Sequence, residues 1–120
     1  MEKPLWEDFE VTGRGAGHQP IATLQKGGML FFNGVAVERY IREATFAKLS
    51  YASNVGWIRI TLINEPSTST VRIRKNKKDG TAIISFRGFV KQFNLDLQKA
   101  LRFEIEEFKE ENGRFLVLKP

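Results

Sequence analysis

The sequence predicts a mainly β fold with two short helices, a pseudo-twofold closed barrel assembled from two ββαββ units. Three observations carry that expectation: a pattern written twice, period-two alternation in most segments, and glycine-bearing turns spaced as in hairpins. Sliding residues 21–33 (IATLQKGGMLFFN) by fifty-two positions lands them on residues 73–85 (IRKNKKDGTAIIS). Ile21 then meets Ile73, Gly28 meets Gly80, Phe31 meets Ile83, Phe32 meets Ile84 and Asn33 meets Ser85. Gly34 matches Gly88 and Ile41 matches Leu95 at fifty-four, while Ile58 matches Phe115 at fifty-seven, so small insertions separate the copies. One such unit cannot cover its own apolar face. Two can, by closing their strands into a barrel of swapped-hairpin or double-psi type that leaves few edges exposed.

The elements follow in order. Residues 1–20 contain GRGAG and read as a mobile N-terminal arm, ahead of a single barrel domain over residues 21–120. Residues 21–26 and 29–32 read as strands around Gly27 and Gly28, a hairpin turn. Asn33 is a helix-capping residue type, and Val37, Tyr40 and Ile41 share one face of a helix over residues 35–41. Residues 45–53 alternate Ala47, Leu49 and Tyr51 against Lys48 and Ser50. Residues 57–64 set Ile58, Ile60 and Leu62 against Trp57, Arg59 and Thr61, which closes repeat one at residue 64. Residues 65–70 (EPSTST) form the linker. Repeat two, residues 71–120, runs through strands over 71–76 and 81–84 and a helix capped by Ser85 that turns Phe89, Val90 and Phe93 inward. A last hairpin turns at Asn112-Gly113, with Leu101, Phe103 and Ile105 buried on one strand and Phe115 and Val117 on the other.

Composition narrows the function. A chain of 120 residues with a 42% apolar fraction fits one soluble domain, and no apolar run is long enough to cross a bilayer. The start, MEKPLWEDFE, has neither a basic region nor an apolar stretch like a secretion signal, so a cytoplasmic protein without membrane contact is expected. The absence of cysteine excludes disulfides, thiol nucleophiles and zinc–thiolate sites. His18 is the sole histidine and sits beside glycines, which suits a linker residue better than a metal ligand or base. The GRGAG run lacks the GK[ST] ending of a phosphate loop, and the glutamates from Glu104 to Glu111 lack calcium-loop spacing and read as a solvated face. No nucleophile–base pair assembles. The expectation is a protein that is not an enzyme and carries no cofactor or metal.

Charge supplies the positive signal. The net charge is +5, and Arg72, Arg74, Lys75, Lys77, Lys78, Arg87 and Lys91 crowd one stretch opposed only by Asp79. Alternation turns Arg72 and Arg74 to the outside of a strand, the turn extends that face, and Arg87 and Lys91 follow on the adjacent helix. Such a surface suits phosphate contacts, with DNA as the partner and duplex ahead of single strand. A solvated basic edge that blocks aggregation is the competing explanation. Trp57 and Arg59 share an outward face able to stack on a base or anchor a protein interface. The alternative function is therefore a non-enzymatic protein-interaction or assembly module of prokaryotic origin, homo-oligomeric or with a partner, using Trp57 and the acidic C-terminal hairpin.

The order of elements resembles the swapped-hairpin DNA-binding domain of the AbrB-like family, which includes transition-state regulators, antitoxins and MraZ-type repressors. The better match is VRIRKNKKDGTAIISFRGFVKQFNLD followed by ALRFEIEEFKEENGRFLVLK. Lys78-Asp79-Gly80 stand at the family's hairpin turn, and Phe89, Phe93 and Leu95 stand at its apolar helix positions. Two units in one chain are similar to the MraZ-type arrangement, and the resemblance implies a transcriptional regulator. Asn33 and Ser85 replace the family's helix-opening proline, and Met29 and Thr81 stand where an arginine is common. The family's basic helix pair survives in part, as Lys91 in one copy and Glu38-Arg39 in the other.

Overall fold

Alternation of buried and outward side chains organises a closed antiparallel barrel in the computed structural model, which describes residues 19–111 and 113–120 together with Pro4 and Trp6. The first hairpin is β1 (Ile21–Leu24) and β2 (Met29–Phe32). A helical segment follows, α1 (Gly34–Ala36), continuing as a π-helical turn over Val37–Ile41. Next come β3 (Phe46–Ala52), β4 (Trp57–Ile63), β5 (Val71–Lys75) and β6 (Ala82–Ser85). The chain then forms α2 (Arg87–Gln92), β7 (Leu101–Glu110) and β8 (Gly113–Lys119). Around the barrel the order is β1-β2-β6-β5-β3-β4-β8-β7, with β7 closing on β1. Residues 1–3, 5 and 7–18 lie outside the described residues, so the expected arm, the GRGAG run and His18 are not placed.

The core is apolar throughout. Phe32, Phe86, Leu24, Leu30, Ile58, Ile60, Ile84, Leu116 and Leu118 are fully buried, and among the described residues no polar or charged residue joins them. Each inward set comes from one parity of its strand, as a sheet with one buried face requires. An aromatic cluster closes one end. Phe89 of α2 lies 4.8 Å from Phe86 and 4.8 Å from Phe93 between ring centroids, and Tyr51 of β3 meets Phe89 edge-on at 5.7 Å. Tilted and edge-on pairs suit the ring quadrupoles.

The helix starts are built differently from each other. Asn33 caps α1 as expected: its Oδ1 accepts from the Ala36 N–H at 2.9 Å and from the Ile21 N–H at 3.2 Å. Its Nδ2 donates to the Gln19 carbonyl at 2.8 Å. One side chain thus ties the helix start to the entry of β1. The expected α-helix to residue 41 instead widens, the Arg42 N–H donating to the Val37 carbonyl at 2.7 Å. Apolar spacing cannot distinguish that wider turn. Ser85 does not cap α2. It remains exposed on β6 opposite Met29, and the N-cap is Phe86, which makes no side-chain capping bond. The Phe86 N–H donates to the Gly28 carbonyl at 2.7 Å, so α2 begins against the β1–β2 turn. In the same way Gly34 of α1 lies against the β5–β6 turn, 3.6 Å from the Asp79 carbonyl oxygen to a Cβ placed there.

Two expectations about the last hairpin reverse. Leu116 and Leu118 are the buried residues of β8, and Phe115 and Val117 face outward. Pairing with β4 decides this, because Leu116 lies opposite Ile60 and Leu118 opposite Ile58, and a shift of one residue turns every side chain over. Glu107 is also not on the solvated face. It lies opposite Leu116, and its side chain is 18% exposed.

The barrel wall is uneven. β3 pairs with all of β4 but with β5 only at Phe46–Arg72 and Ala47–Val71, reinforced by the Ile73 N–H donating to the Thr45 carbonyl at 2.8 Å. β7 pairs with β1 only from Leu101 to Glu104. Among the described residues, the remainders of β3 and β7 are therefore paired on one side only. With β4 and β8 between them they form a four-stranded sheet that extends past the closed part of the barrel.

Candidate nucleic-acid interface

Every basic residue expected to contact nucleic acid is exposed: Arg72, Arg74, Lys75, Lys77, Lys78, Arg87 and Lys91. The fold strings them along one wall instead of gathering them at one point. Arg72 and Arg74 point outward from β5 because Ile73 between them is buried. Lys77 and Lys78 occupy the turn at one end of that hairpin. Arg87 and Lys91 lie on α2 at the opposite end, beyond the four residues of β6, a rise of about 13 Å at the usual spacing of a strand. Arg87 also packs on the β1–β2 turn, its Cγ 3.2 Å from a Cβ built on Gly28, which brings Lys26 to the same end.

Lys75 has a different task. Its position opposite Ala82 directs it to the barrel mouth, where its ammonium donates to the Arg42 carbonyl. That carbonyl ends the π-helical turn, so the charge sits at a helix C-terminus, where cations are favourable. Arg42 itself adopts φ 40° and donates from Nε to the Glu38 carbonyl at 2.7 Å.

The turn between β5 and β6 is locally braced. Asn76 Oδ1 accepts from the Lys78 N–H at 3.0 Å. Asp79 Oδ1 accepts from the Thr81 hydroxyl at 2.6 Å and the Thr81 N–H at 3.0 Å. The hydroxyl bond first, then the backbone bond, holds the Asp79 carboxyl below its usual value. Gly80 takes φ 73°, a conformation that a side chain would strain. Asp79 is thus committed to Thr81, and among the described residues the ion pairs involve only Lys109, Arg114 and Lys119 as cations. The wall of β5 and α2 keeps its charges for solvent or a ligand.

Trp57 and Arg59 lie elsewhere, on the outer face of β3, β4 and β8. Trp57 is 39% exposed, with the Lys119 ammonium 4.5 Å from its ring centroid. The Arg59 guanidinium lies 5.6 Å from the Phe115 centroid, and Phe115 stacks on Phe108 at 5.2 Å. Phe108 and Phe115 were not anticipated here, since reading Phe115 as buried removed it from the surface. Between Tyr51, Trp57, Arg59, Phe115 and Val117 runs a groove of about 330 Å³. A second hollow of about 230 Å³ continues it, sharing Arg59 and Phe115.

Among the described residues no three or more histidine, cysteine or acidic side chains are grouped so as to hold a metal ion, and no helix is long and apolar enough to cross a membrane. No family model matches the sequence, and no curated protein or solved structure matches it either.

Proposed function

We propose that the chain is a DNA-binding protein of AbrB-like type, a transcriptional regulator that contacts phosphates through the wall formed by β5, its turn and α2. The observation that carries this reading is the run of exposed cations along a single hairpin and the helix after it, without a competing ion pair among the described residues. Arg72, Arg74, Lys77, Lys78, Arg87 and Lys91 are the phosphate contacts. Lys75 supports the wall from the barrel mouth.

The strand order supports a fold of two interleaved units. Hairpins alternate around the barrel, β1-β2, then β6-β5, then β3-β4, then β8-β7. Exchanging β1 to β4 for β5 to β8 returns the same set of neighbours, as a pseudo-twofold axis between β2 and β6 requires. Each helix also starts on the other unit's turn. Buried Ala22 and Ile73, rather than Ile21 and Ile73, then correspond, because they pair with Phe32 and Ile84 respectively. Interleaved hairpins favour the swapped-hairpin type over the double-psi type.

Fluorescence anisotropy with labelled duplex and single-stranded DNA over a salt series tests the function. Duplex affinity is expected to fall with salt, with a log–log slope of about −0.9 per phosphate neutralised. Replacing Arg72, Arg74, Lys77 and Lys78 by glutamine should make that slope shallower by about 3 to 4. Failure to bind either form at low salt, or an unchanged slope in the quadruple variant, overturns the reading.

A further inference from the structure

We propose that residues 5–10 (LWEDFE) bind the groove on the outer face of β3, β4 and β8 of their own chain, with the rings of Trp6 and Phe9 against Trp57 and Phe115 and the carboxylates toward Arg59 and Lys48. Among the described residues four large apolar side chains stand exposed: Trp6, Val55, Trp57 and Phe108. Three of them belong to this one face. Trp57 lines the groove, Val55 lies in the turn between β3 and β4, and Phe108 stacks on Phe115. The fourth, Trp6, precedes the barrel and is 87% exposed. Apolar surface concentrated in this way marks a place of contact, and docking covers both parts of it.

Connectivity and charge order select this segment as the occupant. Ile21 lies opposite Glu104, Glu104 opposite Lys119, and the Lys119 ammonium lies over Trp57. β1 thus begins in the row of Trp57, three strands away around the wall, about 14 Å at the usual strand spacing. β1 runs antiparallel to β7, so the chain leading into it comes from the side on which Glu106, Val117 and Arg59 lie. The stretch from Gln19 back to Phe9 reaches up to about 33 Å when extended, which spans that distance with slack. Charges follow the same order along the segment and across the face. Arg14 comes first on the way from β1, and the first margin met is β7, where Glu104 has no ion pair among the described residues. Glu10, Asp8 and Glu7 follow, and the strands beyond carry Arg59 and Lys48, also without ion pairs among the described residues. Matched charge order fixes the direction in which the segment lies. The β5 and α2 wall would attract the same carboxylates, but none of the exposed large apolar residues stands on it, so it would leave Leu5, Trp6 and Phe9 uncovered. The groove is separate from that wall, so this inference and the DNA reading stand or fall independently.

Paramagnetic relaxation in the full chain tests the proposal. The sequence has no cysteine, so Lys3→Cys gives a single attachment point for a nitroxide next to the docking segment without altering it. In the isotope-labelled protein the amide signals of Ser50, Arg59 and Val117 should lose most of their intensity, while those of Arg72, Arg74 and Lys91 should keep theirs. Adding Arg59→Glu sets a carboxylate against Glu7, Asp8 and Glu10 and should restore the groove signals. The amide spectrum of that variant shows at the same time whether the barrel is intact. Nitroxide-bearing chains without isotope label, mixed with labelled chains without nitroxide, should cause no loss, because the contact is made within one chain. Groove signals that keep their intensity, losses on the β5 and α2 wall instead, losses that Arg59→Glu leaves unchanged in an intact barrel, or losses in the mixed sample overturn the proposal.

Discussion

Asn33 shows how much one polar side chain can settle. It caps α1, receives the first N–H of β1 and donates to Gln19, so helix start and strand entry depend on the same amide. Asn33→Ala should lower stability by about 1 to 2 kcal/mol, the usual loss for a cap whose partners are left unmet. Asn33→Asp keeps the two acceptor bonds and should lose less. Ser85→Ala provides the contrast. The sequence assigns both positions to caps, yet Ser85 is exposed and Phe86 begins α2 through its buried ring, so that change should stay within about 0.5 kcal/mol. Urea unfolding of the three variants checks the ranking. Residue type suggested the cap at Asn33 correctly. It could not report that a bulky aromatic anchored on the Gly28 carbonyl starts the second helix.

Among the strands, legibility followed the polarity of the outward face. β3 and β5 were readable because Lys48 and Ser50, or Arg72 and Arg74, mark one side as solvent-facing. In β8 the run Phe115-Leu116-Val117-Leu118 is apolar on both sides, so alternation alone gives no direction. Register with β4 chooses Leu116 and Leu118, and the same register turns Glu107 inward beside Arg114, at 3.5 Å. That contact is an ion pair by distance but lacks hydrogen-bond geometry, leaving Glu107 Oε2 buried without a donor. Leu116→Ala should cost about 2 to 5 kcal/mol and Val117→Ala less than about 1 kcal/mol, measured by denaturant unfolding. Equal losses would mean that the register of the last strand is wrong. The basic hairpin was legible as a run of residues, whereas its division between two ends of the barrel depends on how β2 and β6 pair, which no local pattern records.

At the scale of the molecule, two surfaces with different electrostatics share one barrel. The β5 and α2 wall is cationic without ion pairs among the described residues, and the β3-β4-β8-β7 face carries both signs, with Lys119 paired to Glu106 beside its aromatic rings. Salt should act on them unequally. Phosphate contacts release counterions and weaken steeply, while a contact that buries aromatic area is less sensitive to ionic strength. Counting the basic residues suggested the first surface. Outward alternation marked Trp57 and Arg59, and composition marked the acidic hairpin, but only the strand order sets them on one face with β3 and β7 at its margins.

The two-residue junction between β3 and β5 makes the barrel a cylinder with a slit. Local opening should begin there, where few bonds hold the wall, before it reaches β4, which is paired along both sides. By native-state hydrogen exchange, the Ile73 amide should be at least about tenfold less protected than that of Ile60. Comparable protection would show that the slit is held as firmly as the rest. Arg72 lies on one lip of that slit, and Lys48 lies just beyond the other. An anion held between them would act as a clasp, linking ligand occupancy to closure of the cylinder and raising its resistance to unzipping as ligand concentration rises.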